Sequence, residues 1–566
     1  MTERGSQRHW LQAGVLAAGV GAALVGGAGV AAAAPDDAAD APAVSSGRSA
    51  NAGPAARKTL RANPNRGVAK AAAARGMKAP AAAAAVRPAR GVQAAVQRGA
   101  SAQAATAQTV TGAVAAPAAP VAQASTQAAS LGFNLPVGPI RAALYAAQAY
   151  IYGYPLMEYE RVRSVVGDNL NALYNLTTFA NPDVDPIWIA IGGGKRPNVD
   201  TFYSVAELDL SGGPVVLSIP DMGDRYFSWQ LTDPYTNVSG YIGSNTTGSG
   251  PGQYAITWTG GPTVDVPGAT VVEVPYSSML ILGRTLAGDA ADQNIARELI
   301  RQYTLTPTGA TGPNNAVLPA NNSGIAYLNG ISDAITLNPP PAEDDPILAT
   351  LAKIGVGPNL QVSDAHLGPL ATLAADIAVK VTAALLPPLT QVIQFVSAVQ
   401  NRGWAIPSAD IGNYGTNYLL RAGVAEVGLV ANTQDEAMYE AGILGRWYLP
   451  LMAYLPGKTY TLHFDAGQLP PAEAFWSVTV YDRNGNLVPN SEGRYSVSSS
   501  RPAELVYEPD GSINIIFSRT DPADPNSNWL ALPFGGFSAY LRMYVPDQAA
   551  QDRTWTPPPI RFASFF

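Results

Sequence analysis

The sequence has no cysteine and only three histidines in 566 residues. The missing thiols exclude disulfide bonds, thiolate catalysis, cysteine-ligated zinc and a lipid anchor on an N-terminal cysteine. Only His366 and His463 lie beyond the first 34 residues, so a processed chain cannot build a three-histidine zinc site. Charged residues are also scarce, at 14%, whereas 55 Gly and 47 Pro indicate many turns and favour a mainly β protein.

Large apolar side chains are almost absent from residues 35–130, which are dominated by Ala with scattered Pro, Gln and Thr. Such a stretch cannot bury enough surface to offset the entropy of ordering, so it is predicted to be a disordered linker. Residues 1–34 differ, because Arg4 and Arg8 precede a 24-residue apolar run that ends in VAAAAPDD, the pattern of a Sec-type signal peptide. We therefore expect an exported protein, extracellular or associated with the cell envelope, with a retained N-terminal anchor as the alternative.

Charge is distributed unevenly along the chain. Residues 1–130 contain 13 Lys and Arg against four Asp and Glu, a net charge of +9. Because the whole chain carries −7, the remaining residues carry −16. The basic tail is a candidate for contact with an anionic envelope polymer or lipid head groups, although a solvated spacer has the same composition. Nucleic acid is not an expected partner, because the protein is exported and the tail lacks interleaved aromatic residues.

Strand-like and helical segments occur in blocks after residue 131. Residues 131–275 contain short β-branched or aromatic segments separated by Gly, Pro, Asn and Asp, which predict a first β domain. Longer apolar periodicities favour a helical connector over 276–457, and the strand pattern returns over 458–566 as a second β domain. The predicted fold class is α+β, mainly β, with two jelly-roll-like β-sandwich domains joined by the helical connector.

Two of the strand-like segments resemble each other. RYFSWQLTDPYTN (225–237) and AFWSVTVYDRNGN (474–486) both pass from aromatic residues and Ser through alternating residues to an Asp and a polar turn. Two related sandwiches would explain this similarity. Convergence on a common strand–turn pattern would explain it equally well.

Motifs of well-known catalytic sites are missing from the sequence. The chain has no G-x-S-x-G nucleophile turn and no H-E-x-x-H helix, and the Gly-rich loop TTGSGPG (246–252) lacks the Lys and helix of a phosphate cradle. The candidate ligand-binding residues are instead polar and aromatic side chains near strand ends. They are Asn198, Asp200, Tyr203, Asp221, Arg225, Tyr226, Trp229 and Asp233 in the first β region, and Trp476, Tyr481 and Asp482 in the second.

These candidate residues have two interpretations. A bidentate pair of Arg225 with Asp200 or Asp221 would hold a buried strand end together. The same rim of polar groups, with Tyr226 and Trp229 available for stacking, would also bind a small polar or glycan-like ligand. The sequence does not distinguish the two.

Several segments of the chain resemble two families of unknown function. The chain resembles the domain of unknown function numbered 1254 at AYIYGYPL (149–156) and at RPNVDTFYSVAELDLSGGPVVLSIPDMGDRYFSWQLTDPYTNVSGYIG (196–243). It resembles domain 1214, the usual C-terminal companion of domain 1254, at five segments. They are GNYGTNYLLRA (412–422), LPPAEAFWSVTVYDRNGNLV (469–488), DGSINIIF (510–517), NWLALPFGGFSAYLRMYVP (528–546) and TWTPPPI (554–560). The resemblance implies jelly-roll-like β domains with helical additions that often oligomerise. It brings no established reaction, cofactor or catalytic residue.

The leading functional hypothesis is an exported, envelope-associated protein that binds a small-molecule, glycan or lipid ligand at the rims of its sandwiches. The first alternative is a hydrolase that uses a carboxylate pair, such as Asp200 with Asp221 or Asp233, with or without a divalent cation. The second is a structural or assembly module with a large apolar face between subunits. The sequence assigns no cofactor, metal site or catalytic residue, and a homo-oligomer is compatible with each hypothesis.

Overall fold

The computed structural model describes residues 137–180, 196–443, 458–524 and 527–562. These residues belong to one compact unit of mixed helix and sheet with four sheets. The predicted signal peptide and Ala-rich linker lie outside the described residues. The α-helices are α1 (Pro139–Val166), α2 (Ala290–Ile300), α3 (Gly324–Leu337), α4 (Asp345–Leu351), α5 (Pro369–Gln400), α6 (Tyr418–Gly428) and α7 (Gln548–Gln551).

Nine strands in the N-terminal half form two sheets that face each other. They are β1 (Tyr174–Leu176), β2 (Thr201–Asp209), β3 (Val215–Ile219), β4 (Phe227–Thr232), β5 (Val238–Gly243), β6 (Gly252–Trp258), β7 (Thr270–Val274), β8 (Ser278–Leu286) and β9 (Thr304–Pro307). The five-stranded sheet has the order β1-β2-β8-β4-β5 and the four-stranded sheet β7-β6-β3-β9. Apolar residues of both sheets, including Trp229 and Ile256, share one core, so the pair is a β-sandwich, called here the first sandwich.

The C-terminal half contains a second pair of sheets. Its strands are β10 (Trp404–Ala405), β11 (Ala437–Gly442), β12 (Tyr460–Phe464), β13 (Ala472–Asp482), β14 (Ser496–Ser498), β15 (Ile513–Ser518), β16 (Asn528–Ala531), β17 (Phe537–Pro546) and β18 (Arg561–Phe562). The five-stranded sheet has the order β10-β11-β17-β13-β14 and the four-stranded sheet β16-β15-β12-β18. Trp476 and Ile515 lie in the core that these two sheets share, which makes the second sandwich.

The two sandwiches have the same topology. If the strands of each are counted from first to ninth, both five-stranded sheets have the order 1-2-8-4-5 and both four-stranded sheets 7-6-3-9. In each, the sixth and seventh strands are parallel, the other described pairs are antiparallel, and one short helix lies between the eighth and ninth strands. The similar segments 225–237 and 474–486 fall on the fourth strand of each sandwich. This coincidence favours related sandwiches over chance convergence.

The strands of the two sandwiches extend into the segment predicted as a helical connector. Within 276–457, β8 and β9 complete the first sandwich, while β10 and β11 begin the second. These strands are hard to predict from the sequence, because the apolar periodicity of the neighbouring helices dominates any sequence window that contains both. Both α1 and α5 also continue through internal prolines, at Pro155 and at Pro387–Pro388.

A helical layer covers part of the first sandwich. The helices α1, α3, α5 and α6 contact one another and share a core of small and apolar residues. Gly153 lets α1 approach α3 closely, since a Cβ there would lie 2.5 Å from Ile331. A further cluster joins the layer to the outer face of the five-stranded sheet, where Tyr159 and Val162 of α1 meet Val205 and Leu280. Both faces of this sheet are therefore buried.

The outer faces of the two five-stranded sheets also meet each other. Tyr226 packs edge-on against Phe475 and Tyr544, with ring centroids 5.6 and 5.5 Å apart. Its hydroxyl donates to Glu436 Oε1 at 2.5 Å. Asn198 Nδ2, from the loop before β2, donates to the hydroxyl of Tyr544 at 2.7 Å. The sandwiches thus pack back to back, and the candidate site lies in this contact.

Candidate ligand-binding site

A cavity of about 440 Å³ lies between the outer faces of the two five-stranded sheets and is bordered by α5 and α6. This volume falls among those of small-molecule sites, roughly 300–1,000 Å³. Its described lining includes three arginines and no acidic residue. The polar and aromatic residues on the sheet side are Arg196, Asn198, Tyr203, Arg284, Tyr439, Tyr540, Arg542 and Tyr544.

Strand alternation explains why these side chains face the cavity. In β17, Leu541 and Met543 point into the core of the second sandwich, so Arg542 and Tyr544 point to the opposite face. Tyr203 takes the corresponding outward position in β2. In a sheet covered on one side only, these side chains would be exposed to solvent. Here the second sandwich and the helices bury them.

Equivalent positions of the two sheets carry the same row of side chains across three strands. The rows are Tyr203–Arg284–Ser228 in the first sandwich and Tyr439–Arg542–Ser477 in the second. Each arginine is buried in the middle of its row, on the eighth strand of its sandwich. The topology therefore presents two arginines to one cavity from opposite sides.

The two arginines differ in their partners. Arg284 donates through Nη1 to Gln230 Oε1 at 2.8 Å and through Nη2 to the carbonyl of Val430 at 2.7 Å. Arg542 donates through Nη2 to the carbonyl of Arg196 at 2.8 Å, whereas its buried Nη1 has no hydrogen-bond partner. Because a buried charged donor without a partner is costly, Nη1 of Arg542 is the strongest indication of a ligand in the cavity.

Two phenol groups beside Arg542 are also available as donors. The hydroxyl of Tyr439 accepts from Asn432 Nδ2 at 2.6 Å, and that of Tyr544 accepts from Asn198. Within the described residues, neither phenol donates its own proton to an acceptor. Burial raises the pKa of Tyr439 and of Tyr544, so both remain protonated. With Arg542, they form a group of donors suited to an anion.

The helical side of the cavity is apolar along α6 and mixed along α5. The apolar residues are Leu419, Leu420, Val424, Val427 and Val430 from α6 and its C-terminal end, whereas α5 contributes Ile393 together with Thr390, Gln394 and Ser397. Gly423 lies among them, and a Cβ there would lie 3.1 Å from Thr390 of α5. The sheet side of the cavity therefore favours negative charge, and the α6 wall favours hydrocarbon.

The structure places the residues predicted from the sequence in several environments. Asn198 and Tyr203 line the cavity. Asp200 is buried nearby, where Oδ1 accepts from Ser496 Oγ at 2.9 Å and from Arg501 Nη1 at 3.1 Å. Arg225 forms its ion pair with Asp292, at 2.5 Å, and not with Asp200 or Asp221.

The remaining predicted residues lie outside the described lining and have structural roles. Tyr226 and Tyr481 join the sandwiches, the latter by donating to the carbonyl of Pro197 at 2.6 Å. Trp229 and Trp476 lie in the two sandwich cores. The three aspartates hold turns: Asp221 accepts from the Gly223 amide, Asp233 from Asn237, and Asp482 from Asn484 and Asn486.

Sequence reasoning missed Arg284, Tyr439, Tyr540, Arg542 and Tyr544. A signal for the arginines exists, since each is the one charge in an apolar strand, MLILGRTL and FSAYLRMYV. A lone charge inside such a strand indicates a buried polar contact. In the described parts of the chain, no group of three or more His, Asp or Glu is arranged to hold a metal ion.

Comparisons with known proteins agree with the fold and leave the activity open. Residues 170–307 match the family model described as "Protein of unknown function (DUF1254)", and residues 453–548 match "Protein of unknown function (DUF1214)". No curated protein matches the chain.

Two solved structures are similar to this chain. The VPA0106 protein from Vibrio parahaemolyticus is 22% identical, with a TM-score of 0.53 over 75% of this chain and 100% of that one. An uncharacterised protein from Burkholderia cenocepacia is 12% identical, with a TM-score of 0.37 over 75% of this chain and 94% of that one. The first likeness shows a shared fold.

Proposed function

We propose that this protein binds a single-chain anionic amphiphile, with a carboxylate or phosphate head, in the cavity between its two sandwiches. The observation that carries the proposal is the buried Nη1 of Arg542, which has no partner and lies beside two phenols that are free to donate. A carboxylate or phosphate oxygen would satisfy these donors together, and charge-assisted hydrogen bonds are the stronger class. The apolar wall of α6 would cover the tail.

The shape and lining of the cavity favour this ligand class over the alternatives. A glycan has hydroxyls on every side, and the aliphatic wall that includes Val424 and Val427 would leave some of them without partners. A carboxylate-dependent hydrolase needs two acidic groups at the reacting bond, and the described lining has none. An anionic amphiphile matches both the donors on the sheet side and the aliphatic residues on the helical side of the cavity.

The place of action is part of the proposal. Residues 1–34 have the pattern of an export signal, so the ligand would be met outside the cytoplasm or in the cell envelope. Free fatty acids and lipid breakdown products carry the required chemistry. The basic region that follows would keep the protein close to anionic surfaces.

Binding of chain-matched probes tests the proposal. Calorimetric titration with dodecanoate and with dodecanol compares the same tail with and without a charge. We expect dodecanoate to bind about 10-fold or more tightly, because a hydrogen bond to a charged group contributes roughly 1.5–3 kcal/mol. Equal affinities, or no saturable binding of dodecanoate, would overturn the proposal.

A variant that fills the cavity locates the binding. Val427→Trp places an indole in the apolar wall and should abolish dodecanoate binding. The control is Val271→Trp, an exposed position on β7 of the first sandwich, which should bind as the native protein does. Melting curves of both variants show whether the fold is retained. Dodecanoate binding that survives in a folded Val427→Trp variant would place the ligand elsewhere.

A further inference from the structure

Exposed apolar side chains are concentrated on α5. Of the 19 large apolar residues that are exposed in the described parts of the chain, nine lie on this helix. Within the described residues, α5 is also the one helix long and apolar enough to cross a membrane. Its N-terminal half is packed, with Ala371, Ala375 and Ala378 in the core of the helical layer, so α5 is fixed to the protein along that half.

The C-terminal half of α5 has two different faces. One face borders the cavity through Thr390, Gln394 and Ser397. The opposite face, called here the α5 outer face, consists of Leu385, Val392, Phe395, Val396 and Val399, each between 38% and 57% exposed. Their spacing of three, four and seven residues places them on one side of the helix. The outer face is therefore a continuous apolar strip beside the candidate site.

Charged residues are missing from the helix segment that carries this strip and occur at its two ends. Residues 381–400 contain no Asp, Glu, Lys or Arg. Exposed cations bound the stretch, with Lys380, which also pairs with Asp376 at 2.7 Å, before it and Arg402 after it. Apolar residues flanked by cations are typical of helices that lie in the interface of an anionic bilayer, because the long cationic side chains reach the head groups.

We propose that the α5 outer face docks this protein on an anionic lipid surface. The occupant is a membrane, because the face combines hydrocarbon with flanking positive charge and because residues 1–130 carry a net charge of +9. Peripheral attachment generally needs two signals, and an apolar strip together with a polybasic segment provides them. The helix lies on the membrane and does not cross it, since its N-terminal half is packed against α1 and α3.

The proposed docking does not depend on the proposed ligand, although the two proposals are compatible. The cavity residue Ile393 is 48% exposed and lies between the two faces of α5. Docking would place Ile393, and with it this side of the cavity, at the level of the head groups, where a single-chain amphiphile resides. Val392 and Val396 do not line the cavity, so the docking and the binding can be tested separately.

The absence of cysteine allows a site-specific test on the full chain. The variant Val396→Cys is labelled with an environment-sensitive nitrobenzoxadiazole dye and mixed with vesicles of equal parts phosphatidylcholine and phosphatidylglycerol. We expect a blue-shifted, brighter emission that is protected from an aqueous quencher. The matched control Val271→Cys, exposed on the first sandwich, should show no change. Because the dye reports its own position, vesicle binding by the N-terminal region alone does not produce this difference.

A second variant measures the contribution of the strip. Val392→Asp combined with Phe395→Asp in the labelled chain should lower the vesicle-dependent signal about 10-fold or more, because charged groups are costly in hydrocarbon. The same double variant should bind dodecanoate normally. An unchanged dye signal at position 396 on adding vesicles would overturn the proposal. A signal that depends on protein concentration without vesicles would also overturn it, and would assign the face to contact between two copies of the chain.

Discussion

The first and second sandwiches each direct an arginine from their eighth strand into one cavity, yet the two arginines have different hydrogen-bond partners. Arg284 is surrounded by protein acceptors, the side chain of Gln230 and the carbonyl of Val430. Arg542 meets a protein acceptor on one nitrogen and leaves Nη1 without one. The difference comes from what lies next to each row. The segment after α6 supplies an acceptor to the first arginine, whereas the second guanidinium lies against the rings of Tyr481 and Tyr540, 5.5 and 5.6 Å from their centroids.

This difference shows how a repeated scaffold produces a single site. The shared topology fixes an outward arginine on the eighth strand of each sandwich and brings the two together when the sheets pack back to back. One copy then stabilises the contact with the helical layer, while the other, in the proposed function, binds the anion. The row itself is structural in origin, and the local partners determine its use.

Removing each arginine in turn gives the largest expected contrast. Arg542→Met should weaken dodecanoate binding by about 100-fold or more, because loss of one partner of a buried charge pair costs roughly 2–5 kcal/mol. Arg284→Met should weaken it much less and should instead lower the melting temperature, because Gln230 and Val430 lose a buried donor. Titration and thermal unfolding of both variants measure the two effects.

The neutral probe serves as the control for this pair. Dodecanol lacks the charge, so Arg542→Met should leave its affinity nearly unchanged. If Arg284→Met reduced dodecanoate binding as strongly as Arg542→Met, both arginines would contact the head group. The distinction between a structural and a binding copy would then be lost.

The fold was more accessible to sequence reasoning than the site. The mixed helix and sheet content and the fourth-strand similarity were visible locally, because turn residues and period-two alternation leave marks within a few residues. Arg542 and Tyr439 were not found, because they meet the first sandwich through contacts between distant parts of the chain. The candidate residues predicted from the sequence lie near strand ends, whereas the cavity lies across the middle of the sheets. Asn198 reaches it because the loop before β2 packs against β17, and Tyr203 reaches it because it points outward from β2.

Buried glutamates give a second contrast between the halves. Burial raises the pKa of Glu207 in β2 and of Glu440 in β11 to about 7. The buried Oε2 of each glutamate has no hydrogen-bond partner, but Oε1 of Glu207 accepts from Tyr159 and Ser278 and pairs with Arg163. In the folded state both hold a proton that the unfolded chain releases near pH 4.3. Their stabilising contribution is therefore present below that pH and is lost as the pH rises through about 7.

The free energy of unfolding should accordingly fall, by up to about 5 kcal/mol for the two groups together, between about pH 5 and pH 8. Glu440→Gln should flatten this dependence and raise stability at pH 8, because it removes a buried carboxylate that lacks the Tyr159, Ser278 and Arg163 partners of Glu207. Glu207→Gln should flatten it as well but lower stability at pH 8, since Arg163 loses an ion pair. Calorimetry across the pH range measures both variants, and identical behaviour of the two would contradict the contrast.

The equivalent aspartate turns give the smallest expected difference. Asp233 and Asp482 each end the fourth strand of a sandwich and accept two hydrogen bonds from an asparagine four residues later. Asp233 is buried and Asp482 is half-buried, so Asp233→Ala should cost about 2 kcal/mol and Asp482→Ala about 1 kcal/mol. Asp221→Ala, in an exposed turn, is the control and should stay within about 0.5 kcal/mol of the native protein. Thermal unfolding ranks the three, and a larger loss at Asp482 than at Asp233 would mean that burial does not set the strength of these turns.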